Sequence, residues 1–471
     1  MSTFSGISTA LSSLIAQRQA INVAAQNLAN VNTVGYTRQR ASMVSVAGTD
    51  SPAFFSKTDG VGNGVRIDTI ERLADAFVDA RLRSAAGNSG YLTARAQTYV
   101  QLENSFGEGA GSPDALSAQL GQMWNAWQEA ANNPAEGSTK AVLLNQSQQV
   151  VDKMHSLAQS ISTQWKNTYA ATSAIVDQVN ATAVSIADLN TKILALSANG
   201  QSTGELQDLR DQLITQLSDS VGATTSQRAD GQIDVMVGGN ALVSGNRTSQ
   251  LALSGATSYA QAAAGTPVTL QWSDHPGVPV SLTGGAVAGH LTTLAPADDG
   301  GILASAGRAL DEVAKSMMNA VNELHANPPG TAVTVDGTPG GLFFTGTGAA
   351  DIQLAITDPN MVAVADQSIG GYDGSVGLAI SRLATSPGGP DDRWAQLVVN
   401  TGSRTAAAMS SATVAERALS SIAAEQLAGA SVDADEETVN LLTFQRAYQA
   451  AARVMTTIDE ILDTLINRMA V

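Results

Sequence analysis

The chain has 471 residues, no cysteine, and 42 acidic against 25 basic side chains, a formal net charge of -17. That excludes disulfides, thiolate metal sites and cysteine nucleophiles, and it disfavours nucleic acid and anionic membrane surfaces as partners, because both carry phosphate charge. With 44% hydrophobic but only 4% aromatic residues, the composition favours slender helices and small cores over one aromatic-rich globule.

In chain order, residues 1–19 lack the basic start and continuous apolar run of a cleaved secretory signal. They open an amphipathic pattern instead. Phe4, Ile7, Leu11, Leu14, Arg18, Ile21, Ala25 and Leu28 alternate spacings of three and four. Such spacing keeps one stripe facing a partner helix and predicts a coiled-coil seam. Residues 36–70 read as strand and turn, with Gly60, Gly62 and Gly64 breaking any helix. From about 88 to 220 the pattern is helical. One stripe runs Val150, Met154, Leu157, Ile161, Trp165, and a second runs Ile175, Val179, Ile186, Leu189, Ile193, Leu196. A third, Leu206, Leu209, Leu213, Leu217, lies beyond the helix stop at Asn199-Gly200.

Residues 221–295 read as β. Asp230-Gly231 between two strand-like runs predicts a tight hairpin, because that pair tolerates positive φ. Further strands are expected at 241–245, 250–254, 268–272 and 278–283, then a helix at 302–326 and a Gly-, Pro- and Asp-rich loop region at 330–392. From 393 the chain is expected to be helical. A new helix start lies at Asp433, with Glu436 three residues on and an acidic first turn that suits the positive helix end. The last seam is Leu441, Phe444, Tyr448, Ala451, Met455, Ile458, Leu462, Leu465 and Met469. Each terminal seam is about four heptads, roughly 40 Å long.

The fold class expected is mainly α with β insertions. It comprises a terminal coiled-coil domain (1–35 plus 430–471), a mostly helical middle domain with short strands (36–220 plus 300–429) and a small outer β domain (221–299). A chain that runs out and returns brings its termini together.

Enzyme chemistry finds little support. His155, His275, His290 and His325 are scattered without metal-ligand spacing. The pairs Asp298-Asp299 and Asp391-Asp392 sit in turn-rich sequence, and Asp274-His275 precedes Pro276. Gly238-Gly239 has no phosphate-loop context. No catalytic residue, cofactor or metal is assigned, and no stretch approaches the roughly 20 apolar residues of a membrane span.

The sharpest motif is NLANVNTVGYTRQR, residues 27–40, with Asn27, Asn30, Asn32, Gly35 and Tyr36. From physics alone it is a helix end followed by a turn. It resembles the N-terminal signature of the rod, hook and hook-associated family of flagellar axial proteins. That family usually carries a proline before the glycine, where Val34 stands here. Residues 440–467 resemble its C-terminal signature. The blocks 62–83 and 206–226, with the DGQIDVMVGGNALVSG stretch that follows, resemble its hook-associated branch.

The resemblance implies a structural adaptor joining hook to filament, exported through the flagellar type III channel and secreted without signal cleavage. Its partners would be hook protein, the third hook-associated protein, further copies of itself in a ring, and an export chaperone at the C-terminal helix. The assembly interface would be the terminal seams: Ile7, Leu11, Leu14, Ile21 and Leu28 with Leu441, Phe444, Tyr448, Met455, Ile458, Leu462 and Leu465. The alternatives are a sister axial protein (hook protein, the third hook-associated protein or flagellin) and a secreted coiled-coil effector or enzyme. The long helices between 88 and 220 disfavour hook and rod proteins, and the NTVGY turn disfavours flagellin.

Overall fold

The structure, a computed structural model, describes residues 3–47, 62–108 and 112–464. Gly60, Leu465 and Met469 lie outside the described residues, as does the side chain of Phe4.

The first helix, α1 (Thr3–Ala29), is followed by the antiparallel hairpin β1 (Gln39–Ser45) and β2 (Val65–Arg72). Then come α2 (Ala76–Phe106), α3 (Leu116–Asn132), α4 (Gly137–Ala198) and α5 (Gly204–Val221). Asp75 starts α2 by accepting from the amides of Phe77 and Val78, which removes two of the orphan donors of a helix start. The two stripes predicted between 150 and 196 belong to one 62-residue helix, α4. It stops at Asn199, and Gly200 takes φ 67°, as the Asn-Gly pair predicts.

Strands β3 (Thr224–Gln227), β4 (Ile233–Val237), β5 (Asn240–Ser244) and β6 (Arg247–Thr248) form one antiparallel sheet in sequence order. The expected Asp230-Gly231 hairpin joins β3 to β4, with Thr224 opposite Met236 and Gln227 opposite Ile233. A second sheet is β7 (Leu251–Gly255), β8 (Val268–Trp272) and β9 (His275–Pro279), with the one-turn helix α6 (Tyr259–Ala263) between β7 and β8. The strand expected at 278–283 begins and ends earlier, as β9, which leaves Val280 to pack inward.

The chain continues through α7 (Ala286–Leu294) and α8 (Ile302–His325). Two-residue strands follow: β10 (Ala332–Val333), β11 (Phe344–Thr345), β12 (Gln353–Leu354) and β13 (Ala365–Asp366). The loop region also holds a short helix, α9 (Ser375–Ser381), that sequence reading missed. Finally α10 (Pro390–Ala430) and α11 (Ala434–Asp463) meet at a three-residue break, and Asp433 caps α11 through the amides of Asp435 and Glu436.

Two apolar cores result. The larger joins α2, α3, the first half of α4, α8, α9 and the start of α10 around Trp127, Trp165, Phe343 and Trp394. The smaller packs the sheets against the second half of α4 (Val176, Val179, Ile186), α5 (Ile214, Leu217) and Val287 of α7. Neither contains a residue of α1 or α11 among the described residues.

Within the larger core His325 is fully buried between Trp127 and Phe343. Its Nδ1–H donates to the Gly341 carbonyl at 2.7 Å, and its Nε2 accepts from the Ala363 amide at 2.9 Å. Burial pushes its pKa down to about 4, against the pull of the Gly341 carbonyl. The unfolded chain therefore binds a proton below pH 6.5 that the folded chain refuses until about pH 4. Stability present above pH 6.5 should be lost across that window, by up to about 3 kcal/mol. Urea midpoints measured between pH 7 and 4 check this, and His325→Gln should flatten the dependence.

Candidate functional site: the terminal helix pair and its anchor

Helices α1 and α11 pack along their length and run antiparallel. The start of α1 lies at the end of α11, because a Cβ on Gly6 would sit 3.0 Å from Ile458 Cδ1. The segment after α1 lies at the start of α11, because Arg38 reaches Glu436 and Glu437.

The seam on α11 faces its partner. Leu441, Phe444, Met455, Ile458 and Leu462 are half-buried, Ala451 is buried, and Tyr448 is just on the exposed side. The seam on α1 divides. Ile7, Leu14, Ile21 and Leu28 are half-buried, whereas Leu11, Arg18 and Ala25 face solvent. The most buried positions are instead Ala10, Ala16, Ala20, Val23, Ala24 and Asn27. The cause is a second neighbour: the β1–β2 hairpin lies on another side of α1. Ser12 Oγ accepts from the Val65 amide, and Asn27 bonds both main-chain groups of Gln39. Small side chains let two neighbours approach one helix, so the large ones are displaced to the flanks.

Exposed apolar side chains remain on the outside of both helices. Leu11 (49% exposed) and Ile15 (52%) lie on α1, and Val439 (62%), Leu442, Val454 (51%) and Ile461 lie on α11. Helix α1 contains a single charged residue, Arg18. Sequence reading missed Ile15, Val439, Leu442, Val454 and Ile461. They fall off the heptad register, and their signal is apolar residues persisting on a second face of the same helix.

The 27–40 motif is the anchor of this pair. Asn27 is buried, and its Oδ1 accepts from Tyr36 Oη at 2.9 Å and from the Gln39 amide at 3.0 Å. Its Nδ2 donates to the Gln39 carbonyl at 2.8 Å. Asn30 takes Thr33 Oγ1 and reaches back to the Gln26 carbonyl. Asn32 is exposed. The Tyr36 amide donates to the Thr33 carbonyl, which closes a turn with Val34 and Gly35 at its centre. Gly35 has φ 80°, and a Cβ there would lie 1.7 Å from Gln212 Nε2.

That Gln212 side chain donates to the Val34 carbonyl, so the motif is bound to α5. The Thr37 amide donates to Asp208 Oδ2, and Arg72 bonds Asp208, Asp211, Gln207 and Thr37. The two sequence blocks singled out around residues 35 and 210 thus meet in space. Burial pushes the Asp208 carboxyl up against the pull of Arg72. Burial, with Asp208, Glu205 and Glu437 nearby, pushes the Tyr36 hydroxyl up to about 12, so it stays a donor at any physiological pH. Burial opposes the Arg38 charge, but Glu436 and Glu437 outweigh it and hold its pKa above the usual value. A cleft of about 320 Å³ lies here between residues 34–37, α2, α5 and the end of α10. Sequence reading missed Arg38, Arg72, Asp208, Asp211 and Glu437, whose partners are up to 399 positions away.

Two exchanges at the turn follow. Position 34 is the first central residue, and the following glycine has positive φ, the arrangement of a type II turn, which favours proline there. Val34→Pro should stabilise the monomer by about 0.4–1 kcal/mol. Gly35→Ala should destabilise it by more than about 1 kcal/mol, through both φ and Gln212. Thermal melts of the two variants check both signs.

Most of the residues weighed for catalysis are otherwise engaged. Asp298 pairs with Arg308, Asp391 accepts from Trp124 Nε1, Asp392 accepts from the Gly388 amide, and exposed His275 lies against Asp274. A larger cavity of about 610 Å³ between α4, α6 and α8 holds His155 and Asp311, but His155 Nε2 is bonded to the Ile352 carbonyl and Asp311 to the Ala349 amide. Among the described residues no cluster of three or more His, Asp or Glu is placed to hold a metal, and no helix is long and apolar enough to cross a membrane.

Residues 99–344, more than half of the chain, match the helical domain of the flagellar hook-associated protein FlgK. Residues 7–37 match the flagella basal body rod protein family, and residues 424–469 the C-terminal domain of the basal body rod FlgEFG proteins. Flagellar hook-associated protein 1 of Bacillus subtilis is 29% identical, over 100% of this chain and 99% of its own length. That of Escherichia coli is 26% identical over 98% and 99%. The flagellar hook junction protein FlgK from Burkholderia pseudomallei shares the fold with TM-score 0.63 at 17% identity, over 75% of this chain and 100% of that one. The chain therefore belongs to the family of the flagellar hook-associated protein FlgK, a structural and non-enzymatic part of the bacterial flagellum at the hook–filament junction.

Proposed function

We propose that this chain joins hook to filament through its α1–α11 pair, which seats its outward stripe against neighbouring subunits. The observation that carries this is the set of exposed apolar side chains on both helices of the pair: Leu11 and Ile15 on α1, which carries a single charge, and Val439, Leu442, Val454 and Ile461 on α11. An isolated two-helix pair is marginal in water, and burying about 50 Å² of apolar side chain at each of six positions stabilises it by several kcal/mol. The neighbours on this reading are further copies of the chain in a ring, hook protein on one side and the third hook-associated protein on the other. The half-buried seam residues Ile7, Leu14, Ile21, Leu28, Leu441, Phe444, Met455, Ile458 and Leu462 hold the pair together, with Leu11 and Tyr448 at the contact itself. An export chaperone covers the stripe of α11 before assembly. The middle unit spaces the pair from the outer sheets, which face solvent.

Limited proteolysis of the purified monomer tests the reading together with immunogold labelling of isolated flagella. Protease should trim α1 and α11 first and leave the two cores resistant, and gold should mark the end of the hook. Labelling along the whole filament, or termini as resistant as α3 and α8, would sink it.

A further inference from the structure

Residue 38 binds three parts of the molecule at once. Its amide donates to the Ala430 carbonyl in the last turn of α10 at 2.8 Å, and its carbonyl accepts from the Leu73 amide at 2.9 Å. Its Nε donates to Glu437 Oε1 at 2.7 Å, and its Nη1 to Glu436. Glu437 is only 3% exposed, so this carboxylate is withdrawn from water with Arg38 as its ion-pair partner. Between α10 and α11 stand just three residues, Ser431–Asp433. Asp433 caps α11 and the Ser431 amide closes α10, so neither bond spans the break.

We propose that Arg38 is the positioning residue of the terminal helix pair, fixing the angle at which α11 leaves α10 and therefore where the outward stripe points. A three-residue link leaves α11 free to pivot. The bridge from Glu437 through the Arg38 side chain and main chain to Ala430 spans that link and closes it into a ring. The same residue ties the ring to the residue after β2, Leu73, and its neighbour Thr37 ties it to α5 through Asp208. A planar guanidinium that meets two carboxylates in fixed directions holds an angle where a lysine would only supply charge. The charged groups bonded to Arg38 are Glu436 and Glu437, and the first turn of α11 carries only acidic charges, Asp435, Glu436 and Glu437, so no second cation stands there to replace it.

The proposal rests on the reading that this pair makes the assembly contact, yet its first test does not. Amide exchange of the full-length monomer should be compared for wild type, Arg38→Gln, Glu437→Gln and the double variant. Arg38→Gln strands a buried carboxylate, so exchange across 434–445 and 36–41 should quicken at least about tenfold, with α3 and α8 unchanged. Glu437→Gln keeps an acceptor for Arg38 and should do less. The double variant should lie closer to Glu437→Gln than to Arg38→Gln, because no unpaired carboxylate remains. Unchanged exchange in Arg38→Gln, or strictly additive losses, overturns the proposal, and the milder Glu437→Gln variant decides it if Arg38→Gln fails to fold. Swimming of the Arg38→Gln strain separates the two readings. Quickened exchange with filaments shed supports both, whereas quickened exchange with normal filaments leaves the anchor standing and overturns the assembly role of the pair.

Discussion

Ile458→Asp is expected to yield a soluble monomer with both cores intact, in cells that shed their filaments and do not swim. Ile458 is half-buried against Gly6 in the terminal pair and shares no core with the rest of the chain. In the monomer the new carboxylate turns partly to water, so the melting of the two cores should move little. On assembly that escape closes, and an unpaired buried carboxylate costs several kcal/mol. Leu462→Asp, one turn on, should behave alike. Detection of each variant in the medium separates failed assembly from failed export, and a swimming Ile458→Asp strain would refute the interface.

The second large effect lies in the smaller core. Asn190 is completely buried in α4. Its Oδ1 accepts from Arg210 Nη1 at 3.0 Å and from the Ile233 amide at 3.2 Å, and its Nδ2 donates to the carbonyls of Ile233 and Gly245. Arg210, buried and with its pKa lowered by that burial, also donates to the Gly231 carbonyl, so one asparagine ties α4, α5 and the β3–β4 turn. Asn190→Ala removes all four bonds and leaves a buried cation short of an acceptor. A loss of about 3–5 kcal/mol is expected, confined to the smaller core. Trp272 reports that core, and the other four tryptophans report the larger one. Urea unfolding followed with and without Trp272→Phe should show the transition of the smaller core moving alone. A uniform shift of both transitions would contradict the division into two cores.

Elements were legible in the sequence wherever a single residue or period decides them. Asp433 caps α11 as its position predicts, Asn199-Gly200 stops α4, and Asp230-Gly231 turns β3 into β4. The terminal helices followed from their spacing, and the mainly helical class from the stripes. What stayed hidden depends on two neighbours rather than one. A heptad pattern describes one partner, so it could not show that the hairpin would take a second side of α1, at Ser12 and Asn27, while Leu11 stays exposed. Asn190 stands beside apolar Leu189 and one turn from Ile193, where polarity reads as a gap in a stripe until its four partners come from 20 to 55 positions away. The motif around Gly35 was visible as a turn, but its purpose was not, since Asp208 and Glu437 reach it from the far side of the sequence.

Helix α4 carries a mechanical consequence. Its 62 residues, roughly 90 Å long, serve the larger core with one half and the smaller with the other, and no glycine or proline interrupts it after Gly137. A force applied to the sheets of the smaller core is therefore expected to travel along an unbroken ladder of backbone hydrogen bonds into the larger core. The same sharing limits what can be trimmed. Excising the strands alone would uncover part of the apolar flank of the shaft around Val176, Val179 and Ile186, so a shortened version that stays soluble has to shorten the shaft too.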